Sequence, residues 1–176
     1  ATFIPDTNDP DSFQKARSFV GQIALVQVLS DDLIFRGSYQ GLSTRRRNEN
    51  GVTGLGFQSA STSVFDGFIH TANGQFNWTP TRANEVTFGY EYEREDFGND
   101  GFTPAGAGDF RARARQSSHT FFAQDLVRLF DNKLQLAGGF RAQIFDLKNP
   151  EFSAANAPYS SLTLENPPNA YTFDAA

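Results

Sequence analysis

The sequence predicts an all-β fold, an antiparallel up-and-down meander of long strands. Three observations point to it. A two-residue alternation of apolar and polar side chains keeps returning, the alternating runs are long, and the connections between them are short and long in turn. The clearest run is Glu85 to Glu95. Val86, Phe88, Tyr90 and Tyr92 fall on one face, and Thr87, Gly89, Glu91 and Glu93 on the other. Successive side chains of a strand point to opposite faces, so this is a ribbon with one apolar and one polar side. Leu134 to Phe145 repeats the design. Leu134, Leu136, Gly138, Phe140, Ala142 and Ile144 oppose Gln135, Ala137, Gly139, Arg141 and Gln143.

Taken in order, the chain reads as six strands and the start of a seventh. The first runs from about Ala16 to Leu29 and closes on the tight turn Ser30-Asp31-Asp32. The second runs from Leu33 to about Arg45, with Leu33, Phe35, Gly37 and Tyr39 aligned. Asn48 to Ser61 is polar, contains Gly and reads as a long loop. The third strand covers about Thr62 to Trp78, with Phe68, Ala72, Phe76 and Trp78 on one face. Thr79 to Asn84 is a turn, and Pro80 suits a strand end because it lacks an N–H. The fourth strand is Glu85 to Phe97, followed by a Gly-rich loop from Gly98 to Asp109. The fifth is about Arg111 to Phe130, with a tight turn at Asp131-Asn132-Lys133. The sixth is Leu134 to Asp146. Lys148 to Pro168 is a long loop, and Ala170 to Ala175 opens the last strand.

This order sorts every short turn to one end of the meander and every long loop to the other. Strands of about 12 to 18 residues compare with a usual mode of about 5 to 6. A tilted strand crosses a bilayer with about 9 to 11 residues. Long strands, short turns on one side and long loops on the other are the features of an outer-membrane β-barrel. Phe76 and Trp78 stand just before a short turn, where interfacial aromatic residues collect, and Tyr90 and Tyr92 are assigned to the membrane interface with them. A soluble sheet would need a covering layer for its apolar face, and six long strands in one meander supply none.

Composition agrees. The 176 residues are 39% hydrophobic, and no stretch has the length of a membrane-spanning helix. Nineteen Phe and five Tyr stand against one Trp, so apolar mass is concentrated at alternate positions. A formal charge of −5 argues against nucleic acid as a partner. The absence of Cys argues against a small disulfide scaffold. There is no Met and no basic-then-apolar leader, and the last strand begins as the sequence stops. The expectation is one segment, residues 1–176, processed or cut from something longer.

Gln116 to Phe145, QSSHTFFAQDLVRLFDNKLQLAGGFRAQIF, resembles a barrel hairpin of TonB-dependent outer-membrane receptors. Phe122-Ala123-Gln124-Asp125 is the recurring part. An Asp-Asn turn and a Leu-x-Leu-x-x-Gly-x-Arg strand follow it. Asn84 to Tyr92 resembles the preceding strand of that family. The resemblance implies part of a barrel of about 22 strands, with no plug domain in this segment. Six or seven strands do not close even the smallest bacterial barrel, which takes about 8. It further implies a bacterial outer-membrane receptor that imports a scarce nutrient of the siderophore, cobalamin or glycan class. Its partners would be the rest of the barrel and plug, the TonB complex, and outer-membrane lipid or lipopolysaccharide. Two rivals remain, a passive porin or structural barrel, and a soluble all-β binding or assembly module.

No catalytic residue, cofactor or metal is expected. His70 and His119 are the only histidines and lack helical-spacing carboxylates. His119 with Ser117, Ser118 and Asp125 has no nucleophile elbow beside it. Gly98-Asn99-Asp100-Gly101 lacks the remaining ligands of a calcium loop and reads as a turn. The ligand-binding candidates are Arg45, Arg46, Arg47, Glu91, Glu93, Arg111 and Arg113, in the outer loops and lumen. Arg45-Arg46-Arg47 ends the second strand on the long-loop side and suits an anion. Glu91, Glu93 and Glu95 share the lumen face, and a hairpin could set Arg111, Arg113 and Arg115 beside them. Parity opposes that pairing, because the three Arg share parity with Phe121, Ala123, Val127 and Leu129. Either a bulge near Gln116 to Ser118 flips the register, or the Arg stand above the bilayer and face head-group phosphates. Asp125 falls on the lipid-facing parity with no evident partner.

Overall fold

The structure, a computed structural model, describes residues 11–53, 59–153 and 163–176. The opening residues and the central parts of the loops expected at Asn48 to Ser61 and Lys148 to Pro168 lie outside the described residues. Seven strands follow in chain order: β1 Phe13–Ser30, β2 Leu33–Asn50, β3 Ser61–Thr81, β4 Asn84–Phe102, β5 Phe110–Leu129, β6 Leu134–Phe152 and β7 Ala170–Ala175. They form one sheet in the order β1-β2-β3-β4-β5-β6-β7, with every neighbouring pair antiparallel. Residues 31–32, 82–83 and 130–133 make the three connections at one end. The connections at the other end are residues 51–60, 103–109 and 153–169.

Strand ends differ from the sequence expectation. β2 continues through Arg45-Arg46-Arg47 to Asn50, β4 through Gly98 to Phe102, and β6 past Lys148 to Phe152. Residues read as loop by their charge and Gly content are therefore paired. Each short turn ends in its own way. Ser30 Oγ donates to Asp32 Oδ1 at 2.5 Å in the β1–β2 turn. The β3–β4 register shifts between Trp78 and Thr81, around Pro80. This places the residue without an N–H where the ladder is already interrupted. Phe130, Asp131 and Asn132 all have positive φ in the β5–β6 turn.

The sheet is a single layer. Among the described hydrophobic side chains, only Val64 and Ala142 are buried. Phe19, Ile23, Trp78, Phe121, Leu136 and Phe173 are all exposed. Aromatic pairs on the apolar face cross the ladder instead, Phe35–Phe76 at 5.1 Å, Phe76–Phe88 at 5.2 Å and Tyr90–Phe121 at 5.0 Å. Such pairs are the stabilising unit of a sheet. On the polar face, Gly89 is the one residue type that fits. A Cβ there would lie 2.6 Å from Gly74 O and 2.5 Å from the Phe122 ring.

Candidate functional site

Register fixes what each face carries. The apolar face holds the odd residues of β1, β2, β5 and β7 and the even residues of β3 and β4, with the even residues of β6 up to Lys148. Near the short turns it presents Leu33, Trp78 and Val86 in one row. Phe35, Phe76, Phe88, Ala123, Phe140 and Phe173 form the next. Trp78 Nε1 donates to Asp32 Oδ2 at 3.3 Å, so its polar edge meets the turn while its ring lies on the apolar band. Further up, two Tyr–His pairs mark the band's other edge. Tyr39 Oη and His70 Nδ1 are 2.6 Å apart, and Tyr90 Oη and His119 Nδ1 are 2.7 Å apart. Tyr92 packs on His119 with ring centroids 5.1 Å apart. Trp78 to His70 is about 27 Å of strand at about 3.4 Å per residue, which a tilt of about 40° reduces to roughly 20 Å. Amphipathic rings thus bracket an apolar belt of nearly bilayer height.

Above that belt the same face turns charged. It carries Lys15 and Arg17 on β1, Arg45 and Arg47 on β2, Arg94 on β4, Arg111, Arg113 and Arg115 on β5, and Lys148 on β6. The carboxylates there are Glu49, Asp66, Asp96, Asp100, Asp146 and Glu151. Asp96 is shared by Arg94 at 2.7 Å and Arg115 at 2.5 Å. Asp100 accepts two bonds from Arg113, at 2.6 and 2.8 Å, and lies 3.4 Å from Arg111.

The parity conflict is resolved by this arrangement. β4 and β5 keep one register from Asn84↔Val127 to Gly101↔Phe110, so no bulge near Gln116 to Ser118 turns the Arg row over. The shift lies instead between Arg113 and Arg115 against β6, beside Pro150. The expected Glu–Arg ladder is corrected. Arg111, Arg113 and Arg115 stand on the face opposite Glu91, Glu93 and Glu95 and pair with Asp96 and Asp100. Alternation also splits the Arg triplet, with Arg45 and Arg47 on the apolar side and Arg46 alone on the polar side. The outer-loop and lumen position expected for Arg45, Arg47, Arg111 and Arg113 is therefore replaced by strand positions on the apolar-face side.

The polar face collects Arg46, Glu91, Glu93 and Glu95. Glu91 lies 3.7 Å from Arg141, Glu93 accepts from Thr71 Oγ1 at 3.2 Å, and Glu95 accepts from Gln116 Nε2 at 2.7 Å. The Arg46 guanidinium sits 4.4 Å over the Phe65 ring, and Phe65 and Phe97 are 6.4 Å apart. Phe65 and Phe97 were missed in the sequence reading. Their signal was present, since both are aromatic residues out of phase with the apolar parity of their strands. Thr120, almost fully buried, and Ser118 lie on this same face. His119 bonds Tyr90 on the other face, and Asp125 accepts from Asn84 Nδ2 at 3.2 Å near the short turns. Ser118, His119 and Asp125 therefore do not assemble, and Asp125 acquires a turn-capping role. Among the described residues, no group of His, Cys, Asp or Glu side chains could hold a metal ion.

A sheet with an apolar belt of roughly 20 Å, interfacial ring rows and a hydrophilic second face is a section of a transmembrane β-barrel. The family model for the TonB-dependent receptor-like β-barrel matches residues 3–173. The chain belongs to that family. Among solved structures it is similar to BauA, the ferric preacinetobactin receptor from Acinetobacter baumannii. That match has 14% identity and a TM-score of 0.60, and it covers 93% of this chain. The chain spans 28% of that receptor's chain. No curated protein sequence matches it. The family's barrels stand in the bacterial outer membrane, with the apolar face to lipid and the polar face to the lumen.

Proposed function

We propose that this chain is part of the wall of an outer-membrane receptor. The receptor captures a scarce nutrient and imports it with energy delivered through TonB. The observation that carries this reading is the lumen-side arrangement of Arg46, Phe65 and Phe97 near the long connections. A guanidinium held over a ring keeps its edge N–H groups for an anion, while the neighbouring ring offers a flat apolar surface. Such a pair suits a ligand with anionic donors and planar parts. Within the siderophore, cobalamin and glycan classes this favours a ferric chelate, and the likeness to a ferric preacinetobactin receptor supports the same choice. Glu91 and Glu93 lie deeper along the lumen face and are each held by a neighbouring side chain.

The test is uptake of radiolabelled ferric catecholate and hydroxamate chelates by cells carrying the whole receptor. Arg46→Ala with Phe97→Ala should reduce uptake at least about tenfold, the scale of one charge-assisted hydrogen bond. Uptake should also vanish in cells lacking TonB. Uptake that persists without TonB would make the barrel a passive pore and overturn the proposal.

A further inference from the structure

We infer that the lumen-face pair Glu93 and Glu95 holds an ammonium arm of the imported chelate, so that the substrate is a chelate with one positive end. The inference rests on the ferric-chelate reading above and deepens it. Three observations carry it. First, these two carboxylates have no cation beside them. Glu49, Glu85 and Glu91 each reach an Arg, whereas among the described residues Glu93 and Glu95 accept only from the neutral Thr71 and Gln116. The ladder neighbours of Glu93 are Thr71 and Ser118, those of Glu95 are Ile69 and Gln116, and all four are uncharged. Two residues apart on one face, about 7 Å along the strand, the like charges repel until a cation joins them. Second, a cavity of about 50 Å³ lies against the pair, lined also by Gln116, Ser118, Gln143 and Phe145. It takes a head group rather than a whole chelate. Two carboxylates with a ring beside them suit an organic cation rather than a metal ion. Third, hydroxyls with unmet bonding capacity are buried beside this cavity. Ser118 is 8% exposed, and its oxygen accepts only from Gln143 Nε2, at 3.4 Å. Thr120, 1% exposed on the same face and opposite Gln143, has a hydroxyl with no hydrogen-bond partner among the described residues. Buried polar groups are as a rule bonded, and an ammonium brings three donors to such a set of oxygens. The pair is also well placed. Phe97 follows Glu95 on the lumen face, about 7 Å nearer the long connections. A chelate seated at Arg46, Phe65 and Phe97 therefore reaches the pair with a short alkyl arm.

The experiment uses the whole receptor purified in mild detergent, with affinity read by titration calorimetry. The probes are a linear ferric trihydroxamate ending in a primary amine and its N-acetylated form, which differ at that end alone. The wild-type receptor should bind the amine form about tenfold more tightly, the scale of one charge-assisted hydrogen bond. The preference should shrink as salt is raised. Glu93→Gln with Glu95→Gln should abolish the preference by weakening the amine form and sparing the acetylated one. Glu85→Gln, whose carboxylate meets Arg128 near the short turns, should leave the preference unchanged. The readout is a ratio within each variant, so a general loss of stability does not imitate it, and heat-modifiable migration confirms a folded barrel. Equal binding of the two chelates by wild type, or a preference that survives the double substitution, would overturn the ammonium site and leave the chelate reading intact. Equal weakening of both chelates would overturn it too, and would mean that the pair serves another part of the receptor. Failure of the wild-type receptor to bind either chelate would overturn the chelate reading, and the site with it.

Discussion

Asp32 shows how much one polar residue does at the wet edge of a membrane strand. It sits in the β1–β2 turn, outside the spanning strands. The Ser30 hydroxyl chiefly holds its carboxyl below its ordinary range; desolvation opposes it, and the Trp78 indole adds a smaller lowering. A carboxyl whose folded pKa is depressed stabilises the fold above its unfolded pKa, and the gain is lost as pH falls through the folded value. Asp32→Asn should therefore melt below wild type at neutral pH, and the two melting curves should converge as pH drops through and below the ordinary carboxylate range. A gap that persists in acid would mean that the side chain acts through shape rather than charge. The same single-residue logic separates the Arg triplet. Parity alone puts Arg46 on the polar face and its neighbours on the other, so three adjacent like charges serve two different surroundings.

At the scale of the element, the β5–β6 turn is the most strained part of the sheet. Phe130, Asp131 and Asn132 have φ of 52°, 52° and 67°. Lys133 N donates to Phe130 O at 3.2 Å, closing a β-turn over Asp131 and Asn132 within the four-residue connection. Left-handed φ at both central residues of that turn is the type I′ pattern, which Asn-Gly satisfies best. Replacing Asp131-Asn132 by Asn-Gly should stabilise the folded barrel by a few tenths to about 1 kcal/mol. Urea unfolding in lipid vesicles measures this, and no gain would mean that Phe130 alone sets the strain. Alternation made the interiors of the strands and their faces legible in the sequence, because each interior residue meets either lipid or water. Strand ends were not legible. Arg45 to Asn50 and Gly98 to Phe102 rise beyond the belt, where both faces meet water or charged groups. The apolar contrast that betrays a strand is gone there, while the backbone ladder continues. The lumen cluster was half legible for a related reason. Arg46 and the Glu row follow from polarity, whereas Phe65 and Phe97 look like misplaced lipid-facing residues until the register shows them on the other side.

For the whole molecule, the decisive quantity is the apolar surface that none of the described residues covers. Phe19, Ile23 and Leu25 on β1 are each more than half exposed, and Tyr171 and Phe173 on β7 likewise. Among the described residues, the outer edges of β1 and β7 also have no partner strand, and in a closed barrel such edges are taken up by neighbouring strands. A soluble domain of this size would hide most of its large apolar side chains in one core, whereas among the described residues the only buried hydrophobic side chains are Val64 and Ala142. The 176-residue chain alone should therefore fail to form a stable monomer in plain buffer. Circular dichroism and gel filtration with and without detergent measure this. Strand signal and a single species only in detergent or lipid are the expected result, because micelles cover the belt between Trp78 and the Tyr–His rows. A monodisperse β monomer with a sharp two-state melt in water would mean that the exposed face finds a cover within the chain. The lipid-side and lumen-side assignments built on that face would then fall together.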